Sequence, residues 1–158
     1  MKKQLLLIGG GHAHMVTLAR LNTFVAKGYD VTVIQPSEYH YYSGMGPGML
    51  GGTYGPDELR FATRKLVEQK GGTFVLGKVY RIDPHKQRVL LEDSGQEIPY
   101  DVLSCNAGSY VPRDMIHGRA EDVFTAKPIE ELLVARQRIL ELIAIRKITI
   151  AVVGSGPS

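Results

Sequence analysis

The segment Gly9-Gly10-Gly11-His12-Ala13-His14 has the composition of a phosphate-binding turn. It follows the apolar run Gln4 to Ile8 and opens a stretch with helical spacing. In a dinucleotide-binding unit such a turn has a definite job. Gly9 permits the tight reversal, and Gly11 lets the backbone approach a pyrophosphate. The helix start, with His12 and Ala13, offers N–H groups and the positive end of a dipole. The last position of the Gly-x-Gly-x-x-Gly pattern is His14, a departure that bears on how closely helix and strand pack. About 20 positions further on, such units carry an acidic residue for a ribose hydroxyl. Gln35 stands there instead, and its amide can accept and donate hydrogen bonds without adding charge. No arginine adjoins it in sequence, which argues against a 2′-phosphate at this place.

A second candidate runs from Tyr39 to Leu50. Aromatics and methionines alternate there with glycines, a surface suited to a flat apolar ligand such as a flavin ring. Glycines would let backbone N–H groups reach ring heteroatoms. Among these residues and their neighbours there is no Cys-x-x-x-x-Cys, so a redox-active disulfide is not expected in this loop. The single cysteine, Cys105, falls in a predicted apolar strand and is expected to behave as a small buried hydrophobe. His12 and His14 are two apart on a helix and face different ways, with no carboxylate or thiol cluster beside them, so no metal site is expected. No side chain stands out as a catalytic acid or base.

The elements needed to position these residues are legible. Gln4–Ile8 reads as a buried strand, His12–Ala26 as a helix ended by Lys27-Gly28, and Asp30–Ile34 as a second buried strand. Together they make a βαβ unit. Gln35 to Gly55 is rich in glycine and proline and reads as a long irregular stretch. Asp57 is placed to cap a helix running to about Lys70. Strands are predicted at 73–76, 78–82 and 87–92, with turns at Asp83-Pro84 and Asp93-Ser94-Gly95. Another lies within Pro99 to Asn106. Pro128 to Arg146 shows a helical apolar stripe, with proline at its first turn. Ile148 to Val153 is predicted as a strand leading into Gly154-Ser155-Gly156, the opening of a second Gly-x-Gly turn. The expectation is a fragment cut at the start of a second nucleotide-binding domain.

Composition narrows the function classes. The chain is 44% hydrophobic and 22% charged, an ordinary globular balance that excludes disordered and collagen-like classes. Its 19 basic residues against 16 acidic ones are scattered, which argues against nucleic-acid binding. No apolar run reaches the ~18 residues of a membrane-spanning helix, and the initial apolar run is too short for a secretory signal. One cysteine fits a reducing compartment, so the expected location is cytoplasmic.

Taken together, Leu5 to His14, the strand Tyr100–Cys105 with its turn Asn106-Ala107-Gly108, and the ending Ile148 to Pro157 resemble the pyridine nucleotide-disulfide oxidoreductase superfamily. The resemblance is to its FAD-binding half, in flavoproteins with two dinucleotide-binding domains. Tyr42 to Gly48, followed by Gly52-Thr53-Tyr54 and Asp57-Glu58-Leu59, is similar to the NADH dehydrogenase-like branch, some of whose relatives are fused to selenide, water dikinase.

The resemblance implies an α/β, Rossmann-like FAD-binding domain over 1–146, with a mostly parallel sheet and a small antiparallel excursion. Residues 147–158 would begin an NAD(P)H-binding domain. Gly9, Gly11, His12 and Ala13 would surround the FAD pyrophosphate, and Gln35 would take the ribose position. Ser43, Gly44, Met45 and Pro47 would lie near the isoalloxazine. Val79 would approach adenine through its backbone, and Ala107 and Gly108 would line the diphosphate. Gly154 and Gly156 would belong to the NAD(P)H site. The implied reaction is hydride transfer from NAD(P)H to FAD and onward to an acceptor such as a quinone, with membrane contact at the inner face through chain beyond this segment. Two alternatives stand beside it: a sulfide:quinone reductase-like enzyme, which needs cysteines beyond Cys105, and a non-catalytic nucleotide-binding or regulatory module. The family also closes its FAD site with a Gly-Asp segment that these residues do not contain.

Overall fold

Leu5, Leu6, Leu7 and Ile8 are all buried, so the first strand must be covered on both faces. That is the signature of a central parallel strand. The computed structural model describes residues 2–114, 116–118 and 120–154 and bears this out. Strand β1 (Lys3–Ile8) runs into the glycine turn and a single 3-10 turn, His12–His14. Helices α1 (Met15–Ala19) and α2 (Leu21–Ala26) follow, and then strand β2 (Tyr29–Gln35), parallel to β1 with Leu5 opposite Val31. The single helix expected over 12–26 is broken at Arg20, whose φ of −111° and ψ of 17° leave the helical basin.

The chain groups into two compact units. One comprises the residues up to His40 together with Phe61–Gly108, and the other comprises Tyr41–Arg60 with the residues from Ser109 on. Two short strands, β3 (His40–Tyr41) and β4 (Arg60–Phe61), pair with each other in a two-stranded sheet. Between them lie α3 (Gly46–Gly51) and α4 (Pro56–Leu59). The helix expected from Asp57 to Lys70 is therefore two helices, α4 and α5 (Thr63–Gln69), separated by extended Arg60 and Phe61. The cap also differs: Pro56 begins α4, and the Glu58 carboxylate reaches back 2.7 Å to the Gly55 N–H.

The first unit continues through β5 (Thr73–Leu76), β6 (Val79–Asp83), β7 (Arg88–Leu91), β8 (Glu97–Pro99) and β9 (Val102–Cys105). The strand expected within 99–106 is β9, and β8, just before it, is a short strand that the sequence reading does not include. β8 is antiparallel to β7, and β9 is parallel to β1. The parallel sheet has the order β5-β2-β1-β9, and β6-β7-β8 forms a separate antiparallel sheet.

Strand alternation sorts the core into two layers. Leu5, Leu7, Val31 and Val33 point to one face and pack on Leu18, Leu21 and Val67 from the helices. Leu6, Ile8 and Ile34 point to the other and pack on Val89 and Leu91 of the antiparallel sheet. Helices thus cover one face of the parallel sheet and the β excursion covers the other. Each fully buried leucine contributes roughly 1.5–3 kcal/mol.

In the second unit, α3 is helical where an irregular loop was expected. Pro47 sits in its first turn, and Gly46 is buried so tightly that a Cβ would run into the Ile129 side chain. Met49, Leu59 and Ile129 form its core, with Met45, Leu132 and Leu133 packed around them. Helix α6 (Glu131–Ile145) begins slightly later than expected, and only part of its apolar stripe is covered. Ala135 is buried, whereas Ile143 and Ile145 are 53% and 81% exposed. The strand expected at Ile148–Val153 is not formed. Those residues hydrogen-bond to no neighbouring strand, and Val152 and Val153 are 87% and 97% exposed.

This division between covered and uncovered leucines and isoleucines is testable by chemical denaturation. Leu7→Ala should lower stability by about 2–5 kcal/mol, because the cavity lies in a packed layer. Ile145→Ala should stay within about 0.5 kcal/mol of the parent, since little is buried there.

Candidate functional site

In the order β5-β2-β1-β9, the chain leaves β1 toward β2 on one side and later returns to β9 on the other. The carboxyl ends of β1, β2 and β9 therefore flank a crevice of the kind in which open α/β sheets bind ligands. The glycine turn sits at that point.

Each of the three glycines is required for its own reason. Gly9 has φ +80°, and its N–H extends the ladder to Ile34 O at 2.8 Å. A Cβ on Gly9 would overlap the backbone oxygen of Asn106. Gly10 is buried, with the Thr63 methyl 2.8 Å from where its Cβ would be, and its N–H donates to Gln35 Oε1 at 2.9 Å. Nothing in the spacing had singled out Gly10. At Gly11 a Cβ would lie 2.8 Å from Asn106 Nδ2 and 3.4 Å from the His40 ring. A side chain at Gly11 would therefore crowd Asn106.

Asn106 extends the β9 side of the turn, its N–H donating to Ile8 O at 2.8 Å. Its side-chain Nδ2 is buried and has no hydrogen-bond partner among the described residues. A buried, unpartnered donor is uncommon in a folded protein and calls for an explanation. Nothing about Asn106 in sequence, beyond its place before Ala107-Gly108, signals this.

His14, the departure from the glycine pattern, is 3% exposed and joins three segments. Its Nδ1 lies 2.6 Å from Gly9 O, and its Nε2 lies 2.8 Å from Ser104 Oγ on β9. A carbonyl oxygen only accepts, so Nδ1 carries a proton. In the neutral imidazole Nε2 then accepts from the Ser104 hydroxyl. The residue that breaks the small-residue pattern is a polar brace between the turn, the helix and β9.

Gln35 ends β2 as expected, but its amide serves the protein itself. It is 5% exposed. Oε1 takes the Gly10 N–H, while Nε2 donates to Ser37 O at 2.7 Å and Tyr39 O at 2.8 Å. Both amide hydrogens are committed, which corrects the expectation that this group can donate to a ribose. An arginine stands near the same turn, on Glu38 rather than on Gln35. Arg64 of α5, remote in sequence, places Nη1 2.6 Å from Glu38 Oε1 and Nε 2.9 Å from Glu68 Oε1. These hydrogen bonds, that with Glu68 foremost, hold the Arg64 guanidinium above its ordinary pKa.

The remaining candidates are distributed over both units. His12 and Ala13 are exposed at the start of the helical segment. Ala107 and Gly108, the latter with φ +76°, are exposed and follow directly from Asn106. Val79 begins β6 and packs half-buried against the second core layer. Ser43, Gly44, Met45 and Pro47 belong to the second unit. There Met45 packs into the apolar cluster, and a Cβ on Gly44 would meet the Tyr42 ring at 2.9 Å. Gly154 is exposed with φ +101°, and Gly156 lies outside the described residues. Cys105 is exposed at the end of β9, contrary to the expectation of burial. No helix among the described residues is long and apolar enough to cross a membrane.

The sequence matches the family described as pyridine nucleotide-disulphide oxidoreductase over residues 3–158. A mitochondrial sulfide:quinone oxidoreductase of Dictyostelium discoideum is 29% identical over 121 residues, covering 76% of this chain and 26% of that protein. A type II NADH:quinone oxidoreductase of Staphylococcus epidermidis is 28% identical over 137 residues, covering 86% of this chain and 33% of its own length. Among solved structures, the sulfide:quinone oxidoreductase of Aquifex aeolicus superposes with a TM-score of 0.74 at 22% identity. That superposition covers 90% of this chain and 33% of the other. The chain thus spans about a quarter to a third of the length of these relatives.

Two substitutions test the polar bracing of the turn. His14→Ala leaves the part-buried Gly9 O and Ser104 Oγ without this partner and should cost about 1–3 kcal/mol. Gln35→Glu, which restores the acidic residue of the sequence pattern, should destabilise by about 1–3 kcal/mol, because a carboxylate cannot donate to the Ser37 and Tyr39 carbonyls. Urea denaturation of both variants checks these values.

Proposed function

The chain belongs to the pyridine nucleotide-disulphide oxidoreductase family, and from that premise we propose that it forms the FAD-binding part of an NAD(P)H-dependent flavoprotein oxidoreductase with a quinone as electron acceptor. The observation that carries this reading is the Gly9–Gly11 turn at the switch point of the sheet, beside the unpartnered Asn106 Nδ2. The residues present fit a dinucleotide. Side chains are absent where the turn is most crowded, and a buried amide donor awaits an acceptor.

In this reading Gly9, Gly11, His12 and Ala13 hold the pyrophosphate, with Ala107 and Gly108 along its other side and Val79 toward the adenine. His14 keeps the turn from opening by bracing Gly9 to β9. Ser43, Gly44, Met45 and Pro47, of the second unit, are the residues proposed to meet the isoalloxazine. When bound, the flavin supplies two-electron chemistry, accepting hydride and passing electrons on. The chain's own contribution is to bind, orient and exclude water, and no side chain here is assigned an acid or base role. Residues 147–158, with Gly154 and Gly156, begin the NAD(P)H-binding domain. The acceptor is assigned from the two relatives above, both named as quinone oxidoreductases. The location that follows is the inner face of a membrane, reached without a spanning helix among the described residues.

A second reading takes sulfide rather than NAD(P)H as the electron donor, favoured by the 29% identity to the Dictyostelium protein. Anaerobic addition of NADH or sulfide to the flavin-loaded full-length protein separates the two, since only the true donor bleaches the flavin absorbance.

The first test is titration of FAD fluorescence with the purified protein. Saturable quenching is expected, together with at least a tenfold loss of affinity in Gly11→Leu. A folded full-length protein that leaves FAD fluorescence unchanged overturns the reading.

A further inference from the structure

In a dinucleotide-binding βαβ unit the group at the end of the second strand meets the adenosine ribose, and a carboxylate does this by accepting from a hydroxyl. Gln35 holds that position, but both its amide hydrogens go to the Ser37 and Tyr39 carbonyls. Its effect is to fold the segment after β2 back on itself, with the Ser37 hydroxyl accepting the Tyr39 N–H at 3.2 Å. The carboxylate that this turn presents is Glu38.

Glu38 is built into its position. Its backbone oxygen accepts the Arg64 N–H at 3.2 Å, and its side-chain Oε1 takes Arg64 Nη1 at 2.6 Å. Arg64 is itself anchored to Glu68. A cleft opens here, lined by Glu38, Tyr39, Ala62, Arg64, Lys65 and Glu68. Tyr39 offers it a partly exposed ring, and the Glu38 side chain keeps 45% of its surface exposed. A ring face, a guanidinium plane and a fixed carboxylate are the groups that recognise a nucleoside: stacking for the base, acceptance for the sugar hydroxyls. Holding the carboxylate in advance removes the cost of ordering it on binding.

We propose that Glu38, held by Arg64, is the residue that selects the 2′-hydroxyl of the adenosine ribose, in place of Gln35. Resting on the dinucleotide reading above, this assigns the sugar specificity to a residue outside the usual strand-end position. Arg64 follows as a positioning residue. Its Nη1 is held by Glu38 and its Nε by Glu68, and the Glu38 carboxylate would repel a 2′-phosphate. The bland account of the same contacts is a surface ion-pair network, which contributes little to stability and nothing to sugar recognition.

The test is competition against FAD, read by flavin fluorescence, with ADP, 2′-deoxy-ADP and adenosine 2′,5′-bisphosphate. The parent protein should bind ADP roughly tenfold more tightly than 2′-deoxy-ADP, the range of one charge-assisted hydrogen bond. It should bind the 2′-phosphorylated nucleotide more weakly than ADP. Glu38→Gln should reduce the ADP to 2′-deoxy-ADP ratio to within twofold with an unchanged melting temperature, and Arg64→Ala should reduce it part of the way. Equal binding of ADP and 2′-deoxy-ADP by a parent that binds FAD overturns this assignment alone, as does full discrimination in Glu38→Gln. A folded full-length parent that binds neither FAD nor ADP overturns the dinucleotide reading and this assignment with it.

Discussion

The backbone of Gly9 passes so close to the Asn106 carbonyl that a Cβ there would overlap its oxygen, and its φ of +80° suits a residue with no side chain. This close approach draws the ends of β1 and β9 together, and the other contacts of the turn depend on it. The His14 ring reaches both Gly9 O and Ser104 only because the two strands converge there. Gly10 can enter the space beside Gln35 and Thr63 because the turn is already formed. Gln35, fixed by Gly10, shapes the segment that presents Glu38. A chain of short-range constraints thus runs from one glycine to the edge of the proposed ribose cleft.

Much of this architecture was legible in sequence. Apolar runs at 4–8 and 30–34 become adjacent parallel strands, and 73–76 is a strand with the expected bounds. Continuous burial along Leu5–Ile8 follows from a strand covered on both faces. What local pattern could not reveal depends on partners distant in sequence. The Gly46–Gly51 segment reads as irregular by propensity, yet it is helical because small residues let it press against Ile129. The strand expected within 99–106 is formed as Val102–Cys105, whereas Glu97–Pro99 was missed, because nothing local shows that these three residues pair with a different sheet. Ile148–Val153 has strand composition but pairs with no strand among the described residues.

The candidate site divides in the same way. Gly9 was identified from pattern because its requirement is local, a positive φ in a tight turn. Arg64 and Asn106 were missed because their importance comes from what they face: Glu38 in one case, Gly11 in the other. His14 and Gln35 looked like losses of function in a dinucleotide pattern. In the structure they are gains in bracing, each replacing an expected ligand contact or close packing with buried hydrogen bonds inside the protein. In the dinucleotide reading proposed above, that bracing would keep the turn rigid for a charged cofactor.

The central claim is that the Gly9–Gly11 turn and Asn106 form a dinucleotide-binding mouth. The most direct measurement follows amide resonances by heteronuclear NMR as FAD is added to the 17.4 kDa protein. The account predicts shifts concentrated at Gly9 to Ala13, at the Asn106 side-chain amide and at Glu38. Saturable binding with those resonances unmoved, and shifts gathered elsewhere, would contradict it.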